Sequence, residues 1–177
     1  MPTSIVIPRP AASECGDDWD QYVAVVPGEG AWPVLLAQRE EIARRFGALP
    51  EVRALHRYGA GKWSVKEVLG HLCDAERVYT YRALRFARDD STPLPGFDED
   101  HYVPAGKFDA RSIGDLVDEW RAVREATLAF YRGLDAEAFA RRGVANGALV
   151  TVRALAWLAA GHARHHLAVL RDRYGIP

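Results

Sequence analysis

The stretch Trp63-Ser64-Val65-Lys66-Glu67-Val68-Leu69-Gly70-His71-Leu72-Cys73-Asp74-Ala75-Glu76 (63–76) opens with the clearest helix start in the chain. Ser64 stands as the N-cap, Glu67 is its reciprocal partner three residues on, and Trp63 is placed to staple against Val68. Downstream, Val65, Val68, Leu69, Leu72, Tyr79, Ala83 and Phe86 recur at helical spacing until Asp89-Asp90-Ser91-Thr92-Pro93 breaks the pattern. The spacing predicts one long amphipathic helix with an inward face.

Three further helices flank it. One runs from Pro33, suited to a first turn, through Leu49, with Leu35, Leu36, Ile42 and Phe46 facing inward and Pro50 as its stop. Another follows Ser112, with Ile113, Leu116, Val117, Trp120, Val123, Thr127, Phe130, Tyr131 and Leu134 as its stripe. The last begins near Thr151 and ends near Gly175. Four such helices, with little strand patterning and no repeat, predict an all-α four-helix bundle.

The segment between the second and third helices, residues 91–111, is long for a hairpin and is expected to cross the end of the bundle. Residues 1–31 carry Pro2, Pro8, Pro10, Pro27, Gly28 and Gly30 without sustained periodicity. They are expected to form an irregular arm packed on a bundle domain spanning 32–177, with Ser4-Ile5-Val6-Ile7 open to reading as a stray strand.

Composition narrows the function classes. A chain of 177 residues, 49% apolar and 27% charged, has the balance of one globular domain able to bury its own core. A formal net charge of −1, with both signs interspersed, argues against a nucleic-acid partner. No apolar run of the roughly 20 residues that a membrane span needs is present. The opening residues do not read as an export signal, since prolines and acids stand where a basic residue and an apolar run are needed. Cys15 and Cys73 form no CxxC pair and fit a reducing cytoplasm.

The histidines are the anomaly. Three of six fall in Gly161-His162-Ala163-Arg164-His165-His166. Stepping by four and three along this helix gives Val152, Leu155, Ala159, His162, His166, Val169 and Arg173, so two imidazoles occupy a seam where apolar residues belong. Residues four apart have Cβ atoms about 5–6 Å apart, which allows both rings to reach one ion at bonds of about 2.0–2.1 Å. The same HxxxH spacing also suits two ordinary polar or core histidines.

A third ligand would come from another helix or loop, with His56, His71 and His101 as candidates alongside buried acids. His71 leads, because it sits in a helix at the edge of the apolar stripe while His56 and His101 fall in expected loops. Three imidazoles without a thiolate or carboxylate favour zinc or nickel over magnesium or calcium, and leave a coordination position open.

Nearby residues have plainer readings. Asp74 could orient an imidazole through its ring N–H or pair with a neighbouring Arg. Cys73 points away from His71 around the helix and reads as a buried filler. Trp63, Tyr79, Trp120 and Trp157 could line a pocket or pack as core. The acids in Phe97-Asp98-Glu99-Asp100-His101-Tyr102 lack a calcium-loop pattern and read as a solvated connection near the site entrance.

GAGKWSVKEVLGHLCDAERVYTYR (59–82) and GHARHHLAVLRDRYGIP (161–177) resemble the second and last helices of the DinB superfamily, including its YfiT-like and DinB_2 branches. The resemblance runs from about residue 32 onward. It implies up-down-down-up connectivity and one divalent metal ion held by His71, His162 and His166, with no ligand role for His165. It further implies a homodimer acting on a small molecule, either as a hydrolase through metal-activated water or as a low-molecular-weight-thiol transferase. A non-catalytic stress-response or binding module with a structural metal is the third option.

Overall fold

A computed structural model describes residues 5–16 and 19–177. Its elements in chain order are α1 (Asp20–Ala24), α2 (Ala31–Gly47), α3 (Glu51–Ala54), α4 (Val65–Ala87), α5 (Glu99–Gly106), α6 (Ile113–Arg132), α7 (Ala136–Ala140), β1 (Arg142–Ala145), β2 (Ala148–Thr151) and α8 (Val152–Tyr174). The long helices α2, α4, α6 and α8 are the four expected.

Three of their starts are held as the sequence predicts, while α2 begins at Ala31 behind Gly30 without a side-chain cap. At α4, the Glu67 amide donates to Ser64 Oγ at 3.0 Å and the Ser64 amide to Glu67 Oε2 at 2.7 Å, closing the capping box. Ser112 Oγ accepts from the Asp115 amide at 3.1 Å at α6, and Thr151 Oγ1 from the Ala154 amide at 3.2 Å at α8. Gly175, at φ 63°, ends α8 in the left-handed conformation that glycine tolerates best.

Side-chain pairings give the helix directions. Between α4 and α6, Arg77 meets Glu119 and Thr80 meets Thr127, so both numbers rise together and the helices are parallel. Between α2 and α6, the Trp120 indole donates to the Arg39 carbonyl and Arg124 to the Leu35 carbonyl, an antiparallel pairing. Tyr174 reaches Trp63 while His162 meets His71, so α4 and α8 are antiparallel as well. The bundle is therefore up-down-down-up.

That topology forces the link from α4 to α6 to return along the bundle rather than merely to cross its end. Leu94, at its start, bonds to Val144 and Asn146 of the β1–β2 turn region. At its far end, Asp109 accepts from Ser64 Oγ at the start of α4. The link is not wholly irregular: α5 lies within it, capped by Asp98, whose Oδ1 accepts from the His101 amide at 3.1 Å.

Other expectations need correction. Leu36 is exposed, and its neighbour Gln38 is buried instead. The N-terminal arm contains α1 and a turn of 3-10 helix at Ala12–Glu14. Ser4 lies outside the described residues; Ile5–Ile7 form no strand, although the adjacent Pro8 makes a single bridge to Gly30. The arm packs tightly, because Ile7 is fully buried and its carbonyl accepts from the Trp157 indole at 3.0 Å. An antiparallel hairpin, β1–β2, turns at Asn146-Gly147 with both residues at positive φ, as a two-residue primed turn requires.

The core has two apolar halves. One gathers Leu35, Tyr79, Leu128 and Leu155; the other gathers Ile42, Leu69, Trp120 and Leu167. Between them lies a polar layer. Arg124 is fully buried, its Nε lies 2.6 Å from Glu76 Oε1 as an ion pair, and its Nη2 donates to Glu76 Oε2 at 2.9 Å. Its Nη1 donates to Gln38 Oε1 and the Leu35 carbonyl, and Gln38 Nε2 donates to the Ala160 carbonyl at 2.8 Å. All four long helices are thus tied through one cross-section.

Candidate metal centre

The polar layer continues into a histidine cluster between α4 and α8. His71 Nε2 lies 3.0 Å from His162 Nε2, and His166 Nε2 lies 3.1 Å from the same atom. All three candidate ligand atoms fall within 4.8 Å of one another. His71 and His162 are buried, and His166 keeps a partly open edge.

Two glycines make this convergence possible. A Cβ on Gly161 would stand 1.9 Å from the Tyr22 carbonyl oxygen, so only glycine lets α1 lie across α8 and bring Tyr22 edge-on to His162, ring centres 5.6 Å apart. A Cβ on Gly70 would stand 2.3 Å from the Phe108 ring, where the returning link packs against α4. Each glycine immediately precedes a histidine of the cluster.

Aromatic rings frame the rest. Trp63 packs 4.8 Å from His71 and stacks on His166 at 6.4 Å. Tyr79 stands edge-on to His162 at 5.6 Å.

Electrostatics favour neutral rings. Burial, with His165 adding repulsion, pushes the His71 pKa down to about 4. Burial and the neighbouring imidazoles hold His162 and His166 well below the ordinary histidine value. At neutral pH each ring is uncharged, and an uncharged imidazole is the form that ligates a metal.

The donor set fits a divalent ion. An ion with about 2.0–2.1 Å bonds in tetrahedral geometry sets its ligand nitrogens roughly 3.3 Å apart, close to the two contacts made by His162. Without a cation, each N···N contact instead demands that one ring carry its proton at Nε2 and the other at Nδ1.

The remaining histidines lie outside the ligand group, although His165 packs edge-on to His166 at 5.2 Å and lines the same pocket. His165 is exposed and edge-on to Tyr22 at 5.5 Å. His56 is exposed and packs on Tyr174. His101 is exposed on α5 rather than in an irregular loop.

Asp74 does not take up the imidazole-orienting position. It faces Arg77 at 3.5 Å, and no hydrogen bond joins it to an imidazole among the described residues. Cys73 is fully buried, and burial raises its thiol pKa far above the ordinary value, leaving an inert filler.

The cluster lines a pocket of about 320 Å³ whose walls include Trp19, Tyr22, Tyr79, Arg82 and Phe97. That volume lies at the lower end of small-molecule sites, roughly 300–1,000 Å³. Trp63 and Tyr79 are pocket residues, whereas Trp120 and Trp157 are core. The sequence reading did not single out Arg82, whose signal was its place on the His71 face of α4.

A family model described as the DinB superfamily matches residues 35–170. Among solved structures, that of YfiT from Bacillus subtilis, described as "a probable metal-dependent hydrolase with an unusual four-helix bundle topology", is similar to this chain. The TM-score is 0.73 at 18% identity, over 95% of this chain and 94% of that one. At that identity the likeness shows the fold. No curated protein sequence matches the chain.

Proposed function

The chain belongs to the DinB superfamily, and on that premise we propose that it is a metal-dependent hydrolase whose His71, His162 and His166 hold one divalent ion, zinc or nickel. The observation that carries this reading is the convergence of three neutral imidazoles, two buried and one half-buried, on the wall of a pocket large enough for a small molecule. Three protein ligands with access to a cavity match catalytic sites, whereas structural zinc is usually enclosed by four. A divalent ion held there would supply Lewis acidity and lower the pKa of a coordinated water to about 7.

The protein's own groups do the rest. Tyr22, Trp63 and Tyr79 narrow the approach to the imidazoles and exclude bulk water. The polar layer behind them fixes α4 against α6, α2 and α8, so His71 and His162 are presented without reorganisation.

The reading carries with it a small-molecule substrate, a cytoplasmic setting and a homodimer, with neither nucleic acid nor membrane as partner. Free Cys15 and Cys73 fit the reducing compartment, and among the described residues no helix is long and apolar enough to cross a membrane.

Screening zinc- and nickel-loaded protein against ester and amide substrates, with thiol conjugation run in parallel, tests the proposal. Hydrolysis that a chelator abolishes, either metal restores and His162→Ala lacks supports it. Conjugation without hydrolysis reassigns the same centre to thiol transfer, and turnover indifferent to chelation overturns the metal reading.

A further inference from the structure

Arg82 is 3% exposed, yet among the described residues it has no carboxylate within ion-pair distance. Among the described residues its one hydrogen bond runs from Nη2 to the Pro95 carbonyl at 2.7 Å, and its guanidinium stands 5.9 Å from the Phe97 ring centre. A guanidinium carries five donors and does not deprotonate in a protein. Burying such a charge unpaired is costly. Every other buried cation of this bundle has an acid: Arg124 has Glu76, and Lys66 has Glu51.

Arg82 also borders the pocket that holds the histidine cluster. It follows His71 by eleven residues on α4, close to three full turns, so the two share one face about 16 Å apart along the axis. Among the described residues, the pocket thus has three neutral imidazoles at one end and a cation without a carboxylate partner at the other.

We propose that Arg82 is the anion anchor of this pocket, and that the substrate carries a carboxylate bound by Arg82 while its reactive group lies at the His71, His162 and His166 end. The inference rests on the hydrolase reading for the reactive end, and on Arg82 alone for the anion end. A carboxylate suits the site better than a phosphate dianion. The guanidinium fork matches a planar carboxylate in bidentate fashion, and the exposed Glu99 lining the same pocket opposes a second negative charge.

The test pairs 6-mercaptohexanoate with 6-mercaptohexanamide, probes alike in length and thiol and different in charge. Each is titrated into metal-free and zinc-loaded protein while tryptophan fluorescence is followed, because Trp19 and Trp63 line the pocket. Wild type is expected to bind the carboxylate about tenfold tighter than the amide in both states, the scale of one charged hydrogen-bond pair. In Arg82→Met the two probes fall within about twofold of each other, and Arg82→Lys lies between.

Equal affinities in wild type, a preference that persists in Arg82→Met, or no binding of either probe would overturn the anchor. The wild-type comparison stands even if Arg82→Met loosens the link through loss of the Pro95 contact. A carboxylate preference to which zinc adds nothing would leave the anchor standing and count against the metal reading alone.

Discussion

His71 on α4 and His162 on α8, 91 residues apart in the chain, meet Nε2 to Nε2 at 3.0 Å inside the bundle. The contact joins two antiparallel helices next to the buried polar layer of Gln38, Glu76 and Arg124, about 7.5 Å along α4 from Glu76. The cluster and its scaffold adjoin, and their energetics can be tested separately.

The Glu76–Arg124 pair is the scaffold's most exacting contact. Glu76→Gln or Arg124→Met leaves a buried polar or charged group without its partner and is expected to cost about 3–5 kcal/mol. Combining Glu76→Gln with Arg124→Met removes the stranded charge and should cost markedly less than the sum of the two single changes. Urea unfolding of the two single variants and the double variant checks this, and simple additivity would count against it.

Protonation of the cluster should unfold the metal-free protein. The folded-state pKa values of His71, His162 and His166 lie below the ordinary histidine value because of burial. Below about pH 6.5 the unfolded chain takes up protons that the folded one refuses. Stability is thus full above that pH and falls as pH drops toward 4. For His71 alone, moving from 6.5 to about 4 corresponds to on the order of 3 kcal/mol. Unfolding curves in chelator at pH 7.5, 6 and 5 should show this loss, and curves that coincide would contradict it.

The glycines ahead of the histidines should resist even alanine. Gly161→Ala would drive a Cβ into the Tyr22 backbone, and Gly70→Ala would drive one into the Phe108 ring. Overpacking of this kind costs about 1–3 kcal/mol, although alanine is the better helix former. Gly161→Ala is further expected to weaken metal affinity by shifting Tyr22 over His162, which zinc titration against a competing chelator would report. A more stable variant with unchanged affinity would refute the packing argument.

Ser64→Ala removes the capping box that starts α4 and should cost about 1 kcal/mol, read as a lowered Tm. Ser64 Oγ also donates to Asp109, so the same change should loosen the end of the returning link. Hydrogen exchange at residues 107–111 should rise alongside the fall in Tm.

The four long helices were legible in the chain because each carries an apolar stripe, and three of them start at a capping side chain, Ser64, Ser112 and Thr151. The histidine seam was legible because His162 and His166 break an apolar pattern. The short elements were harder to see for physical reasons. Helix α1 has five residues, too few for periodicity, and no side-chain cap. Helix α5 carries Pro104 and lies in a Pro- and Gly-rich segment.

The hairpin did leave a signal, Asn146-Gly147, but its strands of four residues are too short to show alternation. Gln38, Glu76 and Arg124 escaped a search for apolar stripes because a buried polar layer is satisfied only by partners from other helices. Their pairing exists in three dimensions and leaves no spacing in one.

Metal content decides the central claim most directly. Protein purified after growth with zinc or nickel, dialysed and analysed by plasma mass spectrometry, should carry close to one equivalent of metal in wild type and in His56→Ala. His71→Ala, His162→Ala and His166→Ala should each lose most of it, since removing one of three protein ligands leaves a two-ligand site. Equal metal content in wild type and His162→Ala, with both proteins folded, would contradict the account.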